Sequence, residues 1–160
     1  YGNVIGSRGS VIPYFINLLK KGFPVPLTSN EMTRFFIPVI KALKFVLTSL
    51  KNMNGGEIFI PKMSSIKIID LIYMIDRKAK IKNIGIRPGE KLHESLFSID
   101  ESRSINVTKD SFIIYSNNLN FKKKMGIKLK NLKGLISSDS NMIDKNKIEK
   151  FLKEYSNETN

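Results

Sequence analysis

Apolar side chains recur along this chain at two periods, three-to-four and two, and the periods alternate. The first run is helical. After Ser10, VIPYFINLLKKG sets Val11, Phe15, Leu18 and Leu19 at helical spacing, and Gly22 is its stop. Pro13 falls near the start, where a missing N–H costs little. Ahead of it, Val4 and Ile5 read as the end of a buried strand, so GSRG (6–9) becomes a strand-to-helix loop. FPVPLT (23–28) is extended, and EMTRFFI (31–37) reads as a second short strand. PVIKALKFVLTSLKN (38–52) is the clearest helix. Pro38 suits its first turn, Val39, Leu43, Val46, Leu47 and Leu50 share one face, and Asn54-Gly55-Gly56 closes it.

The alternation continues. EIFIP (57–61) predicts a strand, and SSIKIIDLIYMIDR (64–77) an amphipathic helix capped by Ser64 or Ser65. KIKNIGI (80–86) predicts a strand, RPGEK (87–91) a tight loop, LHESLFS (92–98) a short helix and DSFIIYS (110–116) a strand. Asp144 can cap KNKIEKFLKEY, whose Ile148, Phe151, Leu152 and Tyr155 share a face. Strands alternating with helices argue an α/β fold. There is no repeat and no long linker. The G-x-G-x-x-G turn that opens a dinucleotide fold is absent.

Composition narrows the picture. A chain of 160 residues suits one domain or one and a fraction, and 41% hydrophobic content is enough for a core. With no cysteine, disulfides are excluded. No apolar run reaches the ~18 residues of a membrane span. The net charge of +13 invites a nucleic-acid reading. It is discounted, because the basic residues are mostly lysine in a chain also rich in Asn and Ile. The densest stretch, FKKKMGIKLKNLKGL (121–135), has six lysines and no acid, and reads as a solvated loop or edge. No nucleic-acid motif accompanies it, so no specific nucleic-acid partner is expected.

Two stretches carry candidate chemistry. In GSRG, backbone N–H groups at a helix start attract anions and Arg8 adds a planar fork, although such a loop also serves as a plain turn. RPGEKLHE (87–94) is denser. Arg87 ends a predicted strand, where α/β folds bind ligands, and Pro88-Gly89 turns the chain after it. Glu90 and Glu94 read as an acidic first helical turn, or Glu90 as the carboxylate that orients Arg87. His93, the only histidine, reads as a satisfied packing residue and makes a poor metal site by itself. Arg34 in MTRF reads as an edge-strand charge, and Lys62 could approach a ligand.

Four blocks, YGNVIGSRGSVIPYF, PLTSNEMTRFFI, GGEIFIPKMSSIKIIDL and IGIRPGEKLHE, occur in order over residues 1 to about 101. They resemble successive signatures of the UDP-N-acetylglucosamine 4,6-dehydratases, within the extended short-chain dehydrogenases/reductases. The resemblance is weaker from 102 onward. MTRF and EIFIPK are similar to the configuration-inverting subgroup.

The resemblance implies the last part of an NAD(P)-binding Rossmann-like domain plus the C-terminal substrate-binding subdomain. Its boundaries would be 1–22 for the end of the Rossmann-like core, 23–116 for the substrate subdomain and 117–160 for a basic extension. It implies an NADP-dependent enzyme of surface-glycan synthesis, a homo-oligomer when complete and cytoplasmic, acting on a UDP-sugar. Oxidation at C4 would be followed by loss of water across C5–C6 and reduction at C6. Val4, Ile5, Gly6, Ser7 and Arg8 would line the cofactor. Asn3, Val11, Thr28, Arg87 and Asn141 would line the substrate, with Asn3 and Arg87 at its nucleotide end.

The family's Tyr-x-x-x-Lys pair is missing. Four positions beyond Tyr1, Tyr14, Tyr73, Tyr115 and Tyr155 stand Ile5, Leu18, Arg77, Leu119 and Thr159. No catalytic residue is therefore expected in this chain, and the N-terminal half that would supply one becomes an expected partner. The alternative from another class is a catalytically inactive nucleotide-binding or assembly module.

Overall fold

The computed structural model describes residues 2–5, 7, 9–116, 125–128, 133–139 and 152. The expected Asp144-capped helix apart from buried Leu152, and Gly6, Arg8 and Asn141, lie outside them. Strand β1 (Asn3–Ile5) leads into helix α1 (Val11–Lys20), as the first apolar run predicts. Strands β2 (Val25–Leu27) and β3 (Thr33–Pro38) follow, then helix α2 (Val39–Asn52) and strand β4 (Glu57–Pro61). β3 is the organising element. It pairs with β1 in parallel, Asn3 beside Phe36 and Ile5 beside Pro38. On its other side lies strand β5 (Ser64–Lys67), antiparallel. Gly2 fits beside this sheet because a Cβ there would stand 2.8 Å from both Cβ and the carbonyl oxygen of Phe35.

The run 64–77 is thus not one helix. Its first four residues are β5, with Ser65 and Ile66 buried. Helix α3 (Ile68–Ile75) begins only after Lys67, so neither Ser64 nor Ser65 caps it. Pairing with β3 overrides the helical pattern there, because a sheet ladder satisfies backbone groups that local propensity only biases.

Strand β6 (Ile81–Asn83) pairs with β2 in parallel, so the strand expected over 80–86 stops three residues early. Ile84 N–H still bonds the Leu27 carbonyl at 2.9 Å. No helix forms over 92–98. The backbone there is extended, and strand β7 (Ser95–Phe97) pairs with strand β11 (Leu135–Ile136). Short helix α4 (Ile99–Ser102) carries a capping box: Glu101 N–H bonds Ser98 Oγ, and Ser98 N–H bonds the Glu101 carboxylate. Strands β8 (Ile105–Val107), β9 (Ser111–Tyr115) and β10 (Ile127–Lys128) complete a second sheet in the order β10-β8-β9-β4.

The larger apolar cluster joins Ile12 and Phe15 of α1 to Val25, Leu27, Phe36, Ile66, Leu71 and Ile72. A smaller one gathers Ile60, Phe97 and Ile105. Helix α2 behaves differently: Ala42 is buried, but its long apolar stripe faces solvent.

Candidate functional site

The loop 87–94 closes over one side of β3, and polar bonds tie it down. Gly89 takes φ 79°, a turn conformation that side-chain-bearing residues avoid. Glu90 N–H bonds the Arg87 carbonyl at 3.0 Å. The Glu90 carboxylate accepts from the Thr28 hydroxyl at 3.2 Å and from the Arg87 backbone N–H at 3.3 Å. Its charge faces Arg34, at 3.8 Å, rather than the Arg87 guanidinium.

Arg34 is not an edge-strand charge. It lies on the central strand of its sheet with its side chain only 14% exposed. Its Nη1 donates to the Thr33 and Leu92 carbonyls at 2.8 and 3.1 Å. Its Nε lies 3.5 Å from the Glu94 carboxylate. Glu94 in turn accepts from the Phe35 N–H at 3.1 Å and from Asn3 Nδ2 at 3.4 Å. The two acids are therefore not a helix's first turn. They counter one half-buried guanidinium, which half-buried carboxylates require.

His93 is satisfied, as its packing reading expects. Its Nδ1 lies 2.7 Å from the Thr33 hydroxyl, which lies 2.6 Å from buried Ser137 Oγ. Glu94 N–H donates to Ser137 Oγ at 2.9 Å, and Ser137 N–H to the Glu94 carbonyl at 2.8 Å. The segment 133–139 is thereby fastened to the back of the loop. No cluster of metal-ligating side chains occurs among the described residues.

In front of the loop is a cleft of about 280 Å³. Asn3, Val11, Thr28 and Arg87, expected at the substrate from sequence, all line it, together with Arg34 and Glu90. Phe15, Leu27 and Ile68 give it an apolar floor. Arg87 is exposed, and among the described residues no ion pair engages its guanidinium. Asn3 differs: Nδ2 is committed to the Phe35 carbonyl at 3.1 Å and to Glu94, which leaves its amide oxygen.

Val4 and Ile5, expected at the cofactor, sit on β1, and the Ser7 hydroxyl donates to the Val4 carbonyl at 2.9 Å. Ser10 precedes the first turn of α1 without capping it. Its hydroxyl is buried and has no partner among the described residues. An uncapped helix start beside an orphaned hydroxyl is a donor set suited to an anionic group. A larger cavity of about 440 Å³ lies elsewhere, between α2 and β5, with Lys41, Lys44 and Lys62 on its wall. Lys62 is itself engaged, bonding the Thr108 carbonyl at 2.6 Å.

Sequence reasoning missed Arg34 as a site residue, and with it Thr33 and Ser137. One signal was available for Arg34: a lone charge inside TRFFIP, a strand otherwise fit for burial, needs counter-charges. The Glu90–Glu94 pair supplies them. No comparable signal marked Ser137, which lies 104 positions from its partner Thr33.

A family model described as polysaccharide biosynthesis protein matches residues 1–116. The chain is 52% identical over 103 residues to the inverting UDP-N-acetylglucosamine 4,6-dehydratase of Campylobacter jejuni, covering 64% of this chain and 31% of that protein. It is 38% identical to an uncharacterized membrane protein of Methanocaldococcus jannaschii, over 98% of this chain and 48% of that one. No helix among the described residues is long and apolar enough to cross a membrane. The X-ray structure of Pen from Bacillus thuringiensis superposes with a TM-score of 0.84 at 33% identity, covering 98% of this chain and 48% of that chain. The matches thus span 31% to 48% of the length of these relatives. The mixed α/β fold expected of an extended short-chain dehydrogenase/reductase is borne out, and the chain belongs to the polysaccharide biosynthesis protein family.

Proposed function

We propose that this chain is the substrate-binding half of an NADP-dependent 4,6-dehydratase acting on UDP-N-acetylglucosamine in surface-glycan synthesis. The observation that carries the reading is the cleft. Four residues far apart in sequence, Asn3, Val11, Thr28 and Arg87, meet around one space. A relative matched over 31% of its length bears the inverting dehydratase name at 52% identity. The site assignments and the division of the chain at 22 and 116 belong to this proposal, as do the cytoplasmic, homo-oligomeric state and Asn141 as a residue that closes over the substrate.

The chain's own residues bind and orient. Arg87 offers a planar fork to the diphosphate, two N–H groups to two oxygens at once. Glu90 fixes the turn beneath it through the Arg87 N–H, and Arg34 neutralises the acids so that an anion can approach. Arg34 is accordingly a positioning residue. Asn3, its donors taken, keeps an oxygen that suits a substrate hydroxyl beside the diphosphate. Val4, Ile5, Ser7 and the start of α1 at Ser10 would hold the cofactor together with Gly6 and Arg8. The nicotinamide would supply reversible hydride acceptance. Proton transfer and water loss need an acid and base that this chain does not carry, so the expected result for the chain alone is binding without turnover.

The test is calorimetric titration with UDP. Arg87→Lys keeps the charge and loses the fork, and one charge-assisted bond is worth roughly 1.5–3 kcal/mol, so binding should weaken about ten- to a hundredfold. Retained NADP⁺ in a complete enzyme carrying this half should not change. Unaltered UDP affinity would make Arg87 a turn residue only and sink the assignment.

A further inference from the structure

The turn that joins α2 to β4 holds the only Asn-Gly pair in the sequence, Asn54-Gly55. Such a pair has chemistry of its own. The backbone nitrogen after an asparagine can attack the side-chain amide carbon, and glycine, without a Cβ, shields that nitrogen least. Asn54, Gly55 and Gly56 are all exposed. Chain neighbours aside, nothing lies within 4 Å of where a Gly55 Cβ would stand. Gly55 and Gly56 take φ 105° and 88°, so the turn needs both glycines.

One carboxylate holds both reacting groups. Glu57, the first residue of β4, accepts from the Asn54 N–H at 3.0 Å, from Asn54 Nδ2 at 3.2 Å and from the Gly55 N–H at 2.9 Å. The Gly55 nitrogen is the nucleophile of the ring closure, and Asn54 Nδ2 is its leaving group. Burial works to raise the Glu57 carboxyl, but the bonds from Asn54, its own backbone and Gly55 together bring it below its usual 4.5. So weak a base cannot take an amide proton. Its charge opposes the reaction instead, because the Gly55 nitrogen must lose its proton beside an anion, and a like charge disfavours a second one.

We propose that Asn54 is a site of spontaneous modification, where the chain converts with age to aspartate and isoaspartate, and that Glu57 slows the conversion. Solvent base removes the Gly55 N–H proton, and the nitrogen bonds to Asn54 Cγ. The Cγ–Nδ2 bond breaks, and ammonia leaves with a proton taken from water. Water then opens the resulting succinimide at either carbonyl. The change is one-way and removes its own brake. The amide donor to Glu57 is lost, a second carboxylate stands in its place, and isoaspartate adds a methylene to the main chain. Glu57 faces Tyr115 at the end of the β4–β9 ladder, so the product loosens that end of the second sheet. The inference is independent of the UDP-sugar reading.

The test ages the full chain at mildly alkaline pH and maps its peptides by mass spectrometry, with isoaspartate resolved. Asn54 should be the first asparagine to convert. Glu57→Gln keeps an acceptor and loses the charge. It should speed conversion roughly fivefold, the factor that unit charges about 4 Å apart in water produce. Added salt should speed the parent towards that rate and leave Glu57→Gln unchanged, a response that a merely loosened turn would not give. The salt response of the parent needs no variant, and far-UV circular dichroism verifies that Glu57→Gln is folded. Conversion of other asparagines ahead of Asn54 would overturn the site. An unchanged or slower rate in Glu57→Gln, or a parent rate indifferent to salt, would overturn the role of Glu57.

Discussion

Helices α1 and α2 have the same apolar periodicity and opposite fates. In α1 the stripe is covered: Ile12 is 1% exposed and Phe15 3%, packed among β2, β3 and α3. In α2 the stripe is longer, and Leu43 and Leu47 are 55% and 58% exposed. Both helices are delimited as the pattern predicts. Periodicity therefore identifies a face that requires cover, and says nothing about which polypeptide provides it. The same contrast separates the two cavities. The smaller lies over the covered core and is ringed by converging polar groups; the larger lies beside the uncovered helix and is walled by lysines.

The contrast breaks most readily by truncation. Phe15→Ala removes a ring from a filled core and should cost about 3–5 kcal/mol in urea denaturation. Leu43→Ala in the chain alone should fall within about 0.5 kcal/mol of the parent, because little is packed against that side chain. A large loss for Leu43→Ala would show that α2 is supported within the chain after all.

How far the sequence disclosed the fold follows from the same distinction. Elements set by a local pattern were legible: α1, α2, β4 and β9 lie where spacing and turn residues put them. Elements set by a distant partner were not. Residues 64–67 join a strand because β3 is alongside, and 92–98 stay extended because Ser137 and β11 hold them. At the site, family resemblance named Asn3, Val11, Thr28 and Arg87, which the structure places around one cleft. Arg34 was not legible, because its burial depends on β3 being central and its neutrality on acids some sixty positions away.

A small, local effect sharpens the comparison from the other side. Neither α1 nor α2 has a side-chain cap bond, whereas α4 has a full capping box. Hydrogen bonds from the Ser98 backbone and side chain pull the Glu101 carboxyl below its usual value of 4.5, against a weaker opposing effect of burial. A carboxyl depressed in the folded state contributes stability above its unfolded pKa, and that contribution fades as pH falls through the folded one. Thermal melts of the parent should therefore lose a small increment on acidification below about pH 4.5 that Glu101→Gln does not lose. Identical acid dependence in the two would show that the box adds nothing. Glu101 is a surface group, so the increment should be the smallest of these effects.

The central claim is that the substrate's nucleotide end enters the smaller cleft, and the most direct measurement maps UDP onto the chain. An 18.2 kDa protein suits amide-resolved NMR titration. The account predicts saturable shifts at Asn3, Thr28, Arg34 and residues 84–90, with those at 84–90 abolished in Arg87→Ala. Lys41, Lys44 and Met63, at the larger cavity, should stay still. Shifts gathering instead at those residues, unchanged by Arg87→Ala, would place the anion between α2 and β5 and contradict the account.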